Sequence, residues 1–304
     1  MEEIYKNTLR VEIELNNVCN LNCPLCSRNT IYTKDDFKQK IHVDSDKLIS
    51  LLNQFPNLKY VTLAGEYSEP TTYPDLFKVL DYLHNRDIEV YLFINASTKN
   101  DTYYKILAKK FLGTKSTIYF SLFGTTNKLH TKYRKGGNLE DTLRRAKIIK
   151  SICPNNFTII WILFKYNIED YLQNKNFLKK YCNSEEIFWS IPFAERYNLS
   201  DSLEKGICLP EEERNIYNKL DKNPDYKNMT CKSIKNNFAY IDNNLNIWPC
   251  SLSKHNKCSF EEIKKGSKSF CFECFPKNLD IMYDYKIHTL CESETMESNH
   301  KLRK

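Results

Sequence analysis

The sequence predicts an α/β fold in which a parallel sheet is wrapped by helices, followed by a small cysteine-rich C-terminal domain. Strand-like runs alternate with helix-length segments over most of the 304 residues, which is the pattern of repeated strand-helix units. Three cysteines follow the first strand, and from about residue 208 the rhythm stops while cysteines recur. We therefore expect one domain over 1–205, a second over 206–293, and a flexible tail over 294–304.

Six strands are expected in the first domain. The first alternates polar and apolar residues, which is the period of a half-buried strand. The others are rich in apolar, β-branched and aromatic residues. The expected strands are 10–15, 60–64, 89–94, 117–122, 157–163 and 186–191. Helices are expected between them at 45–54, 74–85, 103–111 and 139–152.

The composition narrows the class of protein. A hydrophobic content of 41% is ordinary for a folded chain. No apolar run reaches the length of about 18 residues that predicts a membrane span, and the N-terminus lacks a signal peptide pattern, so we expect a cytoplasmic protein without a membrane partner. Twelve cysteines in such a chain indicate metal binding rather than disulfides. The net charge of +7 is spread out, without the basic helix typical of a nucleic-acid partner.

The cysteine loop after the first strand carries the strongest chemical signal. Cys19, Cys23 and Cys26 lie within eight residues, with no histidine among them and no further cysteine before Cys153. A cubane 4Fe-4S cluster is ordinarily closed by four thiolates, so three would leave one iron open. The alternative is a structural zinc site or a chance grouping. In strand-helix folds, active sites lie on loops at the C-terminal ends of strands, where this loop falls.

This spacing resembles the signature of the radical S-adenosylmethionine (SAM) superfamily. The resemblance implies a partial (β/α)6 barrel of the radical SAM type, a 4Fe-4S cluster on the three cysteines, and SAM chelated at the open iron. In that family, reductive cleavage of SAM produces a 5′-deoxyadenosyl radical, which abstracts a hydrogen atom from the substrate. A flavodoxin- or ferredoxin-type protein would be the electron donor.

Further motifs of the same family are matched at the expected strand ends. Residues 65–70 resemble its Gly-Gly-Glu-Pro loop, although Tyr67 and Ser68 stand where two glycines are usual. Residues 94–96 resemble a Thr-Asn-Gly segment, and 121–124 resemble Ser-Leu-Asp-Gly, with Phe123 replacing the acid. The resemblance implies that the following residues contact SAM: Leu25, Ser68, Glu69, Asn95, Ser121, Arg134 and Asn167. Arg134 would bind the SAM carboxylate, and Leu25 would pack on the adenine.

The C-terminal region resembles the SPASM and Twitch extensions of radical SAM enzymes. Two short strands, 239–241 and 245–248, are expected to form a hairpin around the turn that begins at Asp242. The resemblance implies one auxiliary 4Fe-4S cluster held by Cys231, Cys250, Cys271 and Cys274. Cys258 and Cys291 are alternative ligands, and a four-cysteine zinc site remains open. Cys208 is a candidate hydrogen donor to a substrate radical, and the alternative for it is a buried structural cysteine.

The resemblance implies an enzyme of the oxidoreductase or maturase type that modifies a peptide or protein by oxidation, crosslinking or epimerisation. The alternative is a dehydrogenase or epimerase of a small sugar-like or biosynthetic metabolite. An alternative of another class is an iron-sulfur or zinc protein without SAM chemistry. An electron carrier, however, would not need an open iron or a set of polar residues at successive strand ends.

Overall fold

The computed structural model describes residues 2–24, 26–30, 32–163, 166–174, 176–189 and 237–249. In this part of the chain, eight strands form one open sheet in the order β6-β5-β4-β3-β2-β1-β7-β8. The strands are β1 (Arg10–Ile13), β2 (Tyr60–Leu63), β3 (Glu89–Ile94), β4 (Thr117–Leu122), β5 (Phe157–Leu163), β6 (Ser184–Trp189), β7 (Phe238–Ile241) and β8 (Ile247–Trp248). All neighbouring pairs from β6 to β7 are parallel, and only β8 runs antiparallel.

Helices connect the parallel strands. They are α1 (Glu2–Asn7), α2 (Ser27–Thr30), α3 (Ser45–Leu52), α4 (Leu76–Asn85), α5 (Asp101–Phe111), α6 (Asn127–Tyr133), α7 (Leu139–Ile152) and α8 (Ile168–Gln173). Short polar side chains begin several of them, since the side chains of Asp44, Asn100, Thr126 and Asn138 accept hydrogen bonds from the first-turn amides of α3, α5, α6 and α7. No helix in the described residues is long and apolar enough to span a bilayer.

The predicted α/β fold with an open, mostly parallel sheet is confirmed, and all six expected strands are present. The structure adds a seventh parallel strand, because β7 pairs with β1 in the register Glu12↔Tyr240. The expected hairpin is also present, with β8 pairing with β7 at Tyr240↔Trp248. The hairpin therefore extends the main sheet. The division into two domains near residue 205 stays a prediction, since residues 190–236 lie outside the described part.

The two sides of the sheet differ in character. One side, here called the helix side, packs against the helices and forms the main apolar core, with Val11, Leu63, Leu92 and Phe120 almost fully buried. The opposite side, called the inner side, carries a smaller cluster built on Tyr91, Tyr119 and Ile160, with Tyr60 and Phe93 packed against it. The buried cysteines Cys153 and Cys182 belong to the helix-side core.

Candidate functional site

The loop that follows β1 brings three thiols to the C-terminal edge of the sheet. Cys19, Cys23 and Cys26 are half-buried and form no disulfide bond within the described residues. The amide of Cys26 donates to the Cys23 carbonyl oxygen over 3.2 Å, and the Leu21 amide donates to the Cys19 sulfur over 3.5 Å. The loop is thus folded back on itself by its own backbone, just before α2 begins.

The pKa values of the three thiols are raised by burial and, for two of them, by electrostatic repulsion from neighbouring thiols. Burial raises the pKa of Cys19 to about 12 and that of Cys23 to about 11, and it also raises the pKa of Cys26. Negative charge on Cys23 and Cys26 contributes to the increase at Cys19, and negative charge on Cys26 contributes to the increase at Cys23. Three such thiols stay protonated at neutral pH unless a bound cation compensates for their charge.

Asn95, at the end of β3, connects the cysteine loop to the rest of the site. Its side-chain amide donates to the Asn20 side chain over 2.9 Å and lies 3.9 Å from the Cys19 sulfur. Its backbone amide donates to a Glu69 carboxylate oxygen over 2.8 Å. The ends of β1, β2 and β3 are therefore held together by one asparagine.

Glu69 is the buried acid at the centre of this edge, only 3% exposed. Its carboxylate accepts from the Thr71 amide at 3.2 Å and the Thr71 hydroxyl at 2.5 Å, in addition to Asn95. Burial raises the pKa of the Glu69 carboxyl, while these hydrogen bonds and the charge of Arg134 oppose that shift. These donors fix the carboxylate in place: Oε1 accepts both bonds from Thr71, and Oε2, which accepts only from the Asn95 amide, keeps acceptor capacity.

The segment before Glu69 needs one left-handed residue, and Gly65 supplies it with φ +67°. A Cβ atom at this position would lie 2.5 Å from the Ser68 carbonyl oxygen. The loop therefore makes its turn with one glycine, which lies two residues earlier than the glycine pair of the family pattern.

Arg134 caps the end of α6 and is 8% exposed, and its charge is close enough to Cys23 to oppose the increase in that thiol's pKa. Its guanidinium carbon lies 5.0 Å from the centre of the Phe123 ring, so Phe123 provides a stacking surface where the family motif has an acid. The Nε atom of Arg134 is buried without a hydrogen-bond partner. A buried guanidinium nitrogen that is left unsatisfied is suited to an anionic group of a ligand.

Two other predicted residues occupy different settings. Ser121 lies half-buried on the inner side of β4. Asn167 is fully buried, and its side-chain amide donates to the Phe123 carbonyl oxygen over 3.0 Å, which ties the start of α8 to the end of β4. The remaining predicted residues lie outside the described part of the chain: Leu25, Cys208, Cys231, Cys250, Cys258, Cys271, Cys274 and Cys291.

The structure adds two residues that the motifs do not reveal. Glu14, directly after β1, is a fully buried carboxylate at the same edge, and His130 on α6 is buried with neither ring nitrogen hydrogen-bonded. A signal for Glu14 is present in the sequence, because Arg10, Glu12 and Glu14 alternate along a strand that is otherwise apolar. No comparable signal marks His130.

The family model for the radical SAM superfamily matches residues 13–178, which is more than half of the chain and contains every described site residue named above. The chain belongs to the radical SAM superfamily. No curated protein matches it significantly.

Solved radical SAM structures have a similar fold. SuiB from Streptococcus suis is 16% identical with a TM-score of 0.61, over 91% of this chain and 65% of SuiB. The chain thus spans just under two thirds of that protein. SuiB bound to S-adenosylmethionine is 17% identical with a TM-score of 0.60, over 91% of this chain and 65% of that one. The protein anSMEcpe with bound AdoMet is 15% identical with a TM-score of 0.53, over 90% of this chain and 78% of that one. At these identities the likeness shows the fold alone.

Radical SAM membership implies a 4Fe-4S cluster and SAM, and the residues present fit both groups. Three thiols lie at one sheet edge, and both a buried acid and an arginine with an unsatisfied Nε are near enough to interact electrostatically with them. Within the described residues, no three His, Cys, Asp or Glu side chains are grouped closely enough for a single metal ion. The thiolates of a cubane are spaced more widely, because each binds a different iron.

Proposed function

We propose that this radical SAM protein reductively cleaves SAM and uses the resulting 5′-deoxyadenosyl radical to abstract a hydrogen atom from a peptide or protein substrate. The outcome would be oxidation, crosslinking or epimerisation of that substrate. The observation that carries the proposal is the meeting of the three thiols with Glu69 and Arg134 at one edge of the sheet.

Each residue has a defined part in this proposal. Cys19, Cys23 and Cys26 would hold the cluster, which supplies the electron for cleavage and an open iron for SAM. Glu69 would accept from the SAM ammonium group, since its backbone donors already fix the carboxylate. Arg134 would bind the SAM carboxylate with the guanidinium that stacks on Phe123.

Ser121 and Asn95 would complete the pocket from the ends of β4 and β3. Asn167 supports the same edge by holding the Phe123 carbonyl oxygen. Leu25 would contact the adenine, and Cys208 would donate a hydrogen atom to a substrate radical.

A peptide substrate is supported by one relative. The SuiB structure with the precursor peptide SuiA is similar to this chain, with a TM-score of 0.60 and 16% identity over 90% of this chain and 66% of SuiB. For this chain the peptide remains a proposal, as does the flavodoxin- or ferredoxin-type electron donor. The five described cysteines form no disulfide with one another, which suits a reducing compartment such as the cytoplasm.

An auxiliary 4Fe-4S cluster of the SPASM or Twitch type belongs to the same proposal. Its ligands would be Cys231, Cys250, Cys271 and Cys274. In its support, the β7–β8 hairpin ends immediately before Cys250 and pairs with β1 beside the candidate site. Such a cluster could accept an electron from the substrate radical, which favours an oxidative outcome.

Iron and sulfide analysis of anaerobically reconstituted protein tests the SAM chemistry. We expect about eight irons in the wild type and about four after changing Cys19, Cys23 and Cys26 to Ala, with 5′-deoxyadenosine formed only by the wild type. Cys153→Ala is the matched control, because it removes a buried thiol from the helix side and should leave cleavage intact. Zinc in place of iron, or iron without SAM cleavage, would contradict the proposal.

Deuterium transfer tests the substrate class. Wild-type protein would be incubated with SAM, a reductant and a panel of perdeuterated synthetic peptides, beside a panel of perdeuterated sugars. Deuterium in the 5′-deoxyadenosine from the peptide panel alone would support a peptide substrate. Deuterium from the sugar panel alone would favour the small-metabolite alternative.

A further inference from the structure

Glu14 is a buried carboxylate that accepts three hydrogen bonds from two separate parts of the chain. It is 0% exposed and lies directly after β1, at the same edge as the thiols. Its carboxylate accepts from the Ser68 hydroxyl, from the Glu66 amide at 2.7 Å and from the Tyr240 hydroxyl at 3.2 Å. A carboxylate in such a place is tolerated only when it is well hydrogen-bonded, so these donors account for its burial.

The contact with Glu14 determines what Ser68 can do. A serine hydroxyl has a single proton, and Ser68 donates that proton to Glu14. The Ser68 oxygen then has only its lone pairs left for hydrogen bonding, so toward a ligand Ser68 can act only as an acceptor. Ser68 is half-buried, so its hydroxyl is not fully enclosed by protein.

An ammonium group needs acceptors and has no lone pair to offer. Glu69, the next residue, carries the buried carboxylate already described, so two acceptors stand at consecutive positions of this loop. In the family pattern a glycine is usual at position 68, and a glycine has no side-chain acceptor. The Glu14–Ser68 pair is therefore a feature of this chain's own sequence.

We propose that Glu14 is a positioning residue that orients the Ser68 hydroxyl as an acceptor for the SAM ammonium group. The inference rests on the proposed function, because it assigns SAM to this edge of the sheet. Glu14 acts through Ser68 and through the Glu66 amide, and it does not touch SAM itself.

The β7–β8 hairpin takes part in the same arrangement. Tyr240 of β7 donates to Glu14, and the Tyr67 hydroxyl donates to the Asn243 side chain at the hairpin turn over 2.9 Å. Asp242 makes the turn rigid by accepting from the amides of Asn244 and Asn246 and from the Trp248 indole. The segment 66–68 is thus held by Glu14 on one side and by the hairpin turn on the other.

The test is direct SAM binding to anaerobically reconstituted, full-length protein, measured by equilibrium dialysis beside KM and kcat for SAM cleavage. We expect Glu14→Gln to weaken SAM binding by about ten-fold, which corresponds to losing one hydrogen bond to a charged group. Ser68→Ala should weaken it by a similar factor. The KM for SAM should rise in both variants while kcat changes little.

The double variant decides whether Glu14 acts through Ser68. If it does, Glu14→Gln in the Ser68→Ala background should add less than about two-fold, because the shared contact is already lost. Tyr240→Phe should weaken SAM binding by a few-fold, since it removes one of the donors that fix Glu14. Tyr73→Phe is the matched control: it removes a buried tyrosine hydroxyl bond to the Val43 carbonyl oxygen, away from Glu14.

Three results would overturn the inference: unchanged SAM affinity in Glu14→Gln, fully additive effects of Glu14→Gln and Ser68→Ala, or an equal loss of affinity in Tyr73→Phe. Thermal unfolding of each variant separates a lost fold from lost binding, and Tyr240→Phe keeps the test open if a Glu14 variant does not fold. A wild-type protein that neither binds nor cleaves SAM would instead remove the proposed function on which the inference rests.

Discussion

The helix side and the inner side of the sheet are built from the same strands but have opposite chemical character. On the helix side, the alternate residues of β1 to β5 are apolar and almost fully buried. On the inner side, the positions between them carry charged, hydroxyl and aromatic side chains such as Arg10, Glu12, Tyr91 and Ser121. One set of strands thus supplies the apolar core on one side and the polar surface next to the candidate site on the other.

The inner side changes along the strands from aromatic packing in their middle to polar contacts beyond their C-terminal ends. Tyr91, Phe93 and Tyr119 lie within β3 and β4 and pack together, with the rings of Phe93 and Tyr119 stacked at 4.4 Å. Asn95 and Glu69 lie beyond the strand ends, where the polar contacts begin. Substitutions on the helix side should therefore change the free energy of unfolding. Substitutions of the polar residues beyond the strand ends should instead change SAM binding.

The largest effect is expected for Phe120→Ala. Phe120 is 1% exposed on the helix side of β4 and lies 4.9 Å from Phe157, ring centre to ring centre. We expect the free energy of unfolding to fall by about 3–5 kcal/mol. Ser121→Ala, one residue further, should change it by less than about 1 kcal/mol. Chemical denaturation measures both, and equal losses would contradict the division between the two sides.

A smaller effect on stability is expected from the protonation of His130. Burial, together with the charge of Arg134, lowers the pKa of His130 to about 3. The unfolded chain therefore binds a proton near pH 6.5 that the folded chain does not, so stability is complete above that pH and falls as the pH decreases. Between pH 6 and 5 the loss should approach about 1.4 kcal/mol per pH unit.

His130→Leu removes this group and should reduce the pH dependence of stability by that amount. Denaturation of the metal-free protein at several pH values measures it. Equal slopes for the wild type and the variant would show that His130 does not control this dependence.

Arg134→Lys tests the proposed contact with the SAM carboxylate while keeping the positive charge. Lysine cannot present the planar pair of donors or stack on Phe123 in the same way. We expect SAM binding to weaken by about ten-fold with little change in stability. The matched control is Arg144→Lys, because Arg144 is 51% exposed and pairs with Asp101 at the surface. Unaltered SAM affinity in Arg134→Lys would count against a carboxylate contact.

The smallest effect is expected at Ala96, which has φ +57° directly after Asn95. A left-handed alanine costs about 1–2 kcal/mol, and the greater freedom of glycine in the unfolded chain offsets part of any gain. We expect Ala96→Gly to stabilise the protein by about 0.5–1 kcal/mol in chemical denaturation. Gly65→Ala should do the reverse, because its Cβ would meet the Ser68 carbonyl oxygen. A loss of stability in Ala96→Gly would refute this explanation.

Much of the fold could be predicted because it depends on local pattern. The alternating and apolar runs predicted all six strands of the first domain, and the cysteine spacing indicated the superfamily. The place of β7 could not be predicted, because its pairing with β1 joins Glu12 to Tyr240 and no local pattern records such a distant partner. At the C-terminal edge of the sheet, only residues that belong to family motifs were predicted. Glu14 belongs to no such motif, so its contacts were not predicted.

Gly65 and Ala96 explain why motif matching by residue identity is incomplete. Both positions require a positive φ angle, yet one is a glycine displaced from the usual place and the other is an alanine where the family has a glycine. A residue with positive φ is thus present at or near each motif although the residue types differ from the family pattern. A motif search compares residue types, whereas the conformation of these loops depends on the backbone φ angles.

The pairing of β1 with β7 has a consequence for how the chain folds. Until residues 238–241 have been synthesised, β1 is an edge strand with unpaired amides and carbonyl groups along one side. Closing so long a loop is slow relative to local contacts. The inward-facing charges of Arg10, Glu12 and Glu14 make that temporary edge a poor template for another chain. We expect these charges to protect the nascent protein from aggregation until β7 pairs with β1.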